Sequence, residues 1–88
     1  MDSGWHIYIL QCADTTLYTG IAKDIPTRLR QHNGDLAGGP KYTRGRRPVN
    51  LVWFDVAPDR SSAQKREVAI KRLSRSEKLR LISAGKGC

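Results

Sequence analysis

The sequence predicts one small α/β domain in which three strands are flanked by about three helices. Three observations lead there. Two runs of β-branched and aromatic residues lie on either side of a turn near Asp14, a third run follows Pro48, and helix start and stop signals occupy the stretches after the second and third runs. A chain of 88 residues buries only about two-thirds of its unfolded surface, so it supports one core and not two.

Trp5 to Cys12 carries apolar side chains at both parities, as a central strand buried on two faces requires. Ala13-Asp14-Thr15 signals a turn, and Thr16 to Ile21 again favours strand, so the two runs form an antiparallel hairpin. Centred on Asp14, that hairpin sets Tyr8 opposite Gly20 and Leu10 opposite Tyr18, with both tyrosines on one face. Asp24 caps a helix over residues 25–33, Pro26 is tolerated in its first turn, and Asn33-Gly34 stops it. From Gly34 to Pro48 the chain is rich in glycine and basic residues without periodicity and reads as a surface loop. Val49 to Val56 is the third strand. Two helices follow, opened by the capping-box pairs Ser61 with Gln64 and Ser74 with Glu77. The domain is expected to span residues 5–83, after an extension of residues 1–4 and before a fraying tail of residues 84–88.

Sixteen lysines and arginines against eight acids leave a formal charge of +8, an excess that a polyanion offsets. Membrane insertion is excluded as a reading, because no run approaches the roughly 18 apolar residues of a spanning helix. The first residues do not pair a basic segment with an apolar one, so no secretory signal is expected and a cytoplasmic setting is the default. Cys12 and Cys88 show neither metal-ligand spacing nor a disulfide framework.

The eight acids are few enough to audit. Asp14 turns a hairpin, Asp24 and Asp59 stand near helix starts, and Glu77 completes a cap. Glu67 lies about 40° from Ala63 and about 60° from Ile70 around a helix, at the border of the apolar stripe, where a carboxylate needs a partner. An ion pair with a base such as Arg66 and a metal or catalytic role satisfy that need equally. Asp55, at the end of the third strand, is the second acid to watch. Arg28 and His32, four residues apart, fall within about 60° of Ile25 on the core side of their helix. Taken alone, Arg28 covers core with its stem, His32 caps the helix end and the tyrosines pack. The loop run Lys41-Tyr42-Thr43-Arg44-Gly45-Arg46-Arg47 interleaves cations with a ring and a hydroxyl, which suits phosphate contact and base stacking; solvated charge is the bland alternative.

The order of these features resembles the GIY-YIG nuclease superfamily, and within it the small bacterial members that are little more than the nuclease domain. His6-Ile7-Tyr8 stands at the first motif and Tyr18-Thr19-Gly20 at the second, with Arg28, His32 and Glu67 following in order. Lys41-Tyr42-Thr43-Arg44 and Lys65-Arg66-Glu67 match the small members, whereas His6 replaces a glycine and Thr19 an isoleucine. The resemblance implies a three-stranded antiparallel sheet. It also implies roles: Tyr8 as general base or orienter of water, Tyr18 in support, Arg28 on the scissile phosphate, His32 in proton transfer or phosphate binding, Glu67 on a divalent cation, and Gly20 as a structural residue of its motif. Mg²⁺ or Mn²⁺ is the implied cofactor. The expected partner is nucleic acid, DNA in preference to RNA, recognised by structure and contacted by Lys41, Tyr42, Thr43, Arg44, Arg46 and Arg47. A non-catalytic binding module of the same fold is the alternative.

Overall fold

The structure, a computed structural model, describes residues 4–85. Strands β1 (Trp5–Gln11), β2 (Leu17–Ala22) and β3 (Asn50–Ala57) form one antiparallel sheet in the order β2-β1-β3. Among the described residues four helices accompany it: α1 (Ile25–His32), α2 (Lys41–Arg44), α3 (Arg60–Lys71) and α4 (Arg75–Gly85). The central place of β1 explains its apolar residues at both parities. Ile7 and Ile9 face one side, where Trp53, Ala57, and Ala63 and Ile70 of α3 complete a core with partly buried side chains of α4. Tyr8, Leu10 and Cys12 face the other, against Val49 and the inner residues Ile25 and Leu29 of α1. Each fully buried isoleucine contributes about 1.5–3 kcal/mol relative to exposure.

The hairpin register is the one the Asp14-centred turn predicts, Tyr8 opposite Gly20 and Leu10 opposite Tyr18. Between β1 and β3 the pairing slips after Ile9, which opposes Trp53 while Leu10 opposes Leu51, so Val52 is the extra residue of a bulge. Asp24 caps α1, accepting from the Thr27 amide at 3.2 Å and the Thr27 hydroxyl at 2.9 Å. Asn33 ends it and Gly34 follows with φ of 85°.

The structure alters two details of the sequence reading. Asp59, not Ser61, caps α3, its carboxylate accepting from the Ser62 amide at 2.8 Å; an ionised acceptor at a helix N-terminus outcompetes a hydroxyl, and the Ser61–Gln64 box is not formed. The second box is formed, with Glu77 accepting from the Ser74 amide at 2.8 Å and Ser74 from the Glu77 amide at 3.2 Å. The stretch after Gly34 is not featureless, because it contains the single turn α2 with Thr43 fully buried. Helix α4 runs to Gly85, and residues 1–3 and 86–88 of the expected extension and tail lie outside the described residues. No helix of the described residues is long and apolar enough to cross a membrane.

Candidate active site

The hairpin brings the site together through Gly20. A Cβ at that position would stand 2.5 Å from Tyr8 Oη and 3.1 Å from Tyr18 Cε2, so the Tyr8 ring lies directly across its cross-strand neighbour. Only a residue without a side chain permits that approach. Tyr8 points over β2 toward α1, where its Oη lies 2.9 Å from Nε2 of His32. The rings of Tyr8, Tyr18 and His32 form a cluster, with centroids 6.4 Å apart for the tyrosine pair, 5.8 Å for Tyr8 and His32, and 5.0 Å for Tyr18 and His32. Tyr42 of α2 adds a fourth ring 5.4 Å from Tyr18.

Burial governs the electrostatics of this cluster. It raises the Tyr8 phenol to about 12, with Arg28 opposing the rise and the charge of Glu67 adding to it. Burial likewise lowers His32 to about 4, reinforced by the positive charges of Arg28 and Arg47. At neutral pH the pair is therefore a neutral phenol hydrogen-bonded to a neutral imidazole. A cationic neighbour favours a phenolate, but here desolvation outweighs Arg28 and the phenolate is not the resting form. His32 is not a helix cap either, since it is fully buried with both ring nitrogens engaged, Nδ1 lying 3.0 Å from Thr43 Oγ1.

Arg28 is half-buried, and its Nη1 donates to Gln31 Oε1 at 2.8 Å and to the Gly38 carbonyl at 3.1 Å. Both acceptors are neutral, so among the described residues its charge has no carboxylate counterpart and suits an anionic ligand. Gly38 reaches this position with φ of 103°, a conformation that favours glycine.

Glu67 sits midway along α3 with a side chain 18% exposed, and Lys71 Nζ approaches its Oε2 at 3.5 Å. The partner is thus Lys71, one turn away, and not Arg66, which bonds Asp55 at 3.0 Å and thereby accounts for the second acid. Among the described residues no three histidine, cysteine or acidic groups cluster to hold a metal. Glu67 alone remains as a carboxylate whose charge reaches Tyr8.

The basic loop divides into two sets. Lys41, Tyr42 and Arg44 are exposed. The Thr43 side chain is instead fully buried against His32. Arg46 lies over the Tyr42 ring at 4.3 Å, donates to the Tyr42 carbonyl at 2.8 Å, and places Nε 3.1 Å from Asp14 Oδ2 as an ion pair without hydrogen-bond alignment. Arg47 Nε donates to the His32 carbonyl at 2.6 Å, closing the end of α1. Arg46 and Arg47 therefore shape the loop. The sequence reading did not find Gln31, which orients Arg28, or the holding role of Thr43. The doublet Gly38-Gly39 was the available signal for a tight approach to α1.

Comparison with known proteins places the chain among relatives of this architecture. The sequence pattern of the GIY-YIG catalytic domain matches residues 4–80. The UPF0213 protein DP2720 of Desulfotalea psychrophila is 54% identical over 80 residues, covering 91% of this chain and 72% of that protein. A UPF0213 protein of Staphylococcus aureus is 49% identical over 82 residues, covering 93% of this chain and 96% of that protein. The solution NMR structure of the UPF0213 protein BH0048 from Bacillus halodurans superposes with a TM-score of 0.61 at 37% identity, covering 96% of this chain and 87% of the other.

Proposed function

The chain belongs to the GIY-YIG family, a nuclease superfamily that acts on nucleic acids, and from that premise we propose that it is an active, divalent-metal-dependent endonuclease that cleaves DNA in preference to RNA. The observation that carries the reading is the neutral Tyr8–His32 pair at 2.9 Å beside an arginine that no carboxylate neutralises. Phosphodiester hydrolysis needs a deprotonated water, stabilisation of charge on the phosphoryl oxygens and relief of charge on the leaving oxygen. Arg28 supplies the second by binding the scissile phosphate. Tyr8 supplies the first. With a phenol near 12, it does so without standing as phenolate: its oxygen takes a proton from water while its own proton passes to His32. Tyr18 packs its ring against both members of the pair and so holds their orientation.

Glu67 is the residue that would hold Mg²⁺ or Mn²⁺. Its carboxylate is sheltered and its present partner, Lys71, is an exposed side chain free to leave. A single protein carboxylate completed by substrate phosphates and water is an ordinary Mg²⁺ environment. Held there, a divalent cation would offset the negative charge that develops on the leaving oxygen. Glu67→Gln is expected to lower cleavage by at least about 100-fold, as loss of a group that stabilises transition-state charge does. Cleavage of labelled DNA and RNA structures across a Mg²⁺ and Mn²⁺ titration checks it; a wild-type rate for Glu67→Gln at limiting metal would remove Glu67 from the metal site.

Nucleic acid approaches over Lys41 and Arg44, the loop cations without a side-chain partner among the described residues. The double variant Lys41→Ala/Arg44→Ala should reduce the slope of log affinity against log salt by about 1.4–1.8, since each displaced counterion contributes about 0.7–0.9. A filter-binding titration reads this slope, and an unchanged one takes the loop off the binding surface.

A further inference from the structure

Thr43 lies within the basic loop yet faces inward, and its surroundings determine where the proton of His32 resides. Its Oγ1 has two polar neighbours: the Pro40 carbonyl oxygen at 3.3 Å and His32 Nδ1 at 3.0 Å. A carbonyl oxygen can only accept, and a hydroxyl has one proton to give. Directed to Pro40, that proton leaves Oγ1 as an acceptor toward the ring, so Nδ1 must carry the imidazole hydrogen. A neutral imidazole carries one such hydrogen, which leaves Nε2 with a lone pair facing the Tyr8 hydroxyl at 2.9 Å. The chain Tyr8 O–H to Nε2, Nδ1–H to Thr43 Oγ1, and Thr43 O–H to the Pro40 carbonyl then satisfies every member. Reversing it would turn the Thr43 proton to Nδ1, withdraw it from the Pro40 carbonyl, and make Nε2 the donor to the Tyr8 oxygen, leaving the Tyr8 O–H without an acceptor among the described residues. Both Thr43 and His32 are fully buried, where water cannot compensate for a wrong assignment.

We propose that Thr43 is a positioning residue that fixes His32 in its Nδ1–H tautomer, so that Nε2 is the proton acceptor for Tyr8. Turn α2 is built for this. Its N-cap residue, Pro40, offers the carbonyl three residues before Thr43, and the loop is closed onto α1 by Arg47 through the His32 carbonyl. The catalytic consequence rests on the nuclease reading given above, whereas the tautomer belongs to the free protein and is measured without substrate.

The test uses ¹⁵N-labelled full-length protein and spectra that correlate ring nitrogens with ring protons, His32 being assigned by the signals lost in His32→Gln. In wild type, His32 Nδ1 should resonate as a protonated ring nitrogen and Nε2 as an unprotonated one. Thr43→Val, which keeps the shape and removes the hydroxyl, should move protonation toward Nε2. In cleavage assays it should lower kcat by about 100-fold, the lower end of what general-base contributions supply, with KM little changed. Thr43→Ser should restore both the spectrum and kcat. A wild-type spectrum with the proton on Nε2 overturns the proposal, and does so even if Thr43→Val does not fold. An unshifted His32 in folded Thr43→Val overturns it as well, as does a shifted tautomer with unimpaired kcat. If wild type shows no cleavage of any substrate, the nuclease reading fails while the nitrogen spectra still decide the tautomer.

Discussion

Tyr8→Phe should lower cleavage at saturating Mg²⁺ by at least about 100-fold while the far-ultraviolet circular dichroism of the protein stays that of the wild type. The ring remains to fill the space above Gly20, so the core facing α1 keeps its packing. What disappears is the one oxygen that stands between the reacting water and His32 in the proposed relay. The same substitution leaves His32 Nε2 without its hydrogen-bond partner in a buried position, which should cost about 1–3 kcal/mol of stability. The measurement therefore pairs single-turnover cleavage with a denaturant titration. Cleavage within a few fold of wild type would exclude Tyr8 from proton transfer, whatever happens to stability.

The second large effect is on stability against pH. His32 titrates near 4 in the folded protein and near 6.5 in the unfolded chain, burial being the main cause. Between those values the unfolded state binds the proton and the folded state does not, so stability falls as pH falls from about 6.5 to 4. At about 1.4 kcal/mol per pH unit, the loss across the window reaches up to about 3 kcal/mol. His32→Gln should flatten the curve there, because glutamine does not titrate. The carboxylates of Asp14, Asp59 and Glu77 are held below their usual range chiefly by hydrogen bonds from Thr16, Ser62 and Ser74, so their stabilisation is lost only at lower pH. Urea denaturation at intervals from pH 7.5 to 4.5 separates the two contributions. A flat wild-type curve above pH 5 would mean that His32 is solvated or protonated in the folded state.

Much of this arrangement was legible because it follows from periodicity and turn chemistry. A hairpin centred on Asp14 has one register that keeps Tyr8 and Tyr18 on a single face, and β1 with apolar residues at both parities has one place in a three-stranded sheet. Arg28 and His32 share a helix face by spacing alone. The parts that were not legible depend on what packs across from a residue. A single turn such as α2 is too short to show a period, so nothing in the run from Lys41 to Arg47 distinguishes the buried Thr43 from its exposed neighbours. Helical spacing allowed Glu67 a partner on either side, and the structure pairs it with Lys71 because Arg66 turns to Asp55 across β3. The charge state of Tyr8 depended on weighing desolvation against Arg28, and that balance needs the depth of burial.

The turn between β1 and β2 has a consequence for how the chain tolerates change in length. Asp14 accepts from the Thr16 amide and hydroxyl at 3.2 and 2.6 Å, Thr15 adopts φ of 68°, and the Ala13 amide donates to the Arg46 carbonyl at 2.9 Å. Arg46 meets Asp14 from the loop side, and Arg75 at the start of α4 donates to the Thr15 carbonyl at 2.8 Å. Hairpin tips are ordinarily where a chain accepts insertions and grafted peptides, because nothing else leans on them. Here the tip is a junction of three segments distant in sequence, and one added residue would move the carbonyl and carboxylate that the other two grip. Among the described residues, a reporter peptide or affinity graft belongs elsewhere, since at this turn it would detach the loop that carries Thr43 from the rings it holds.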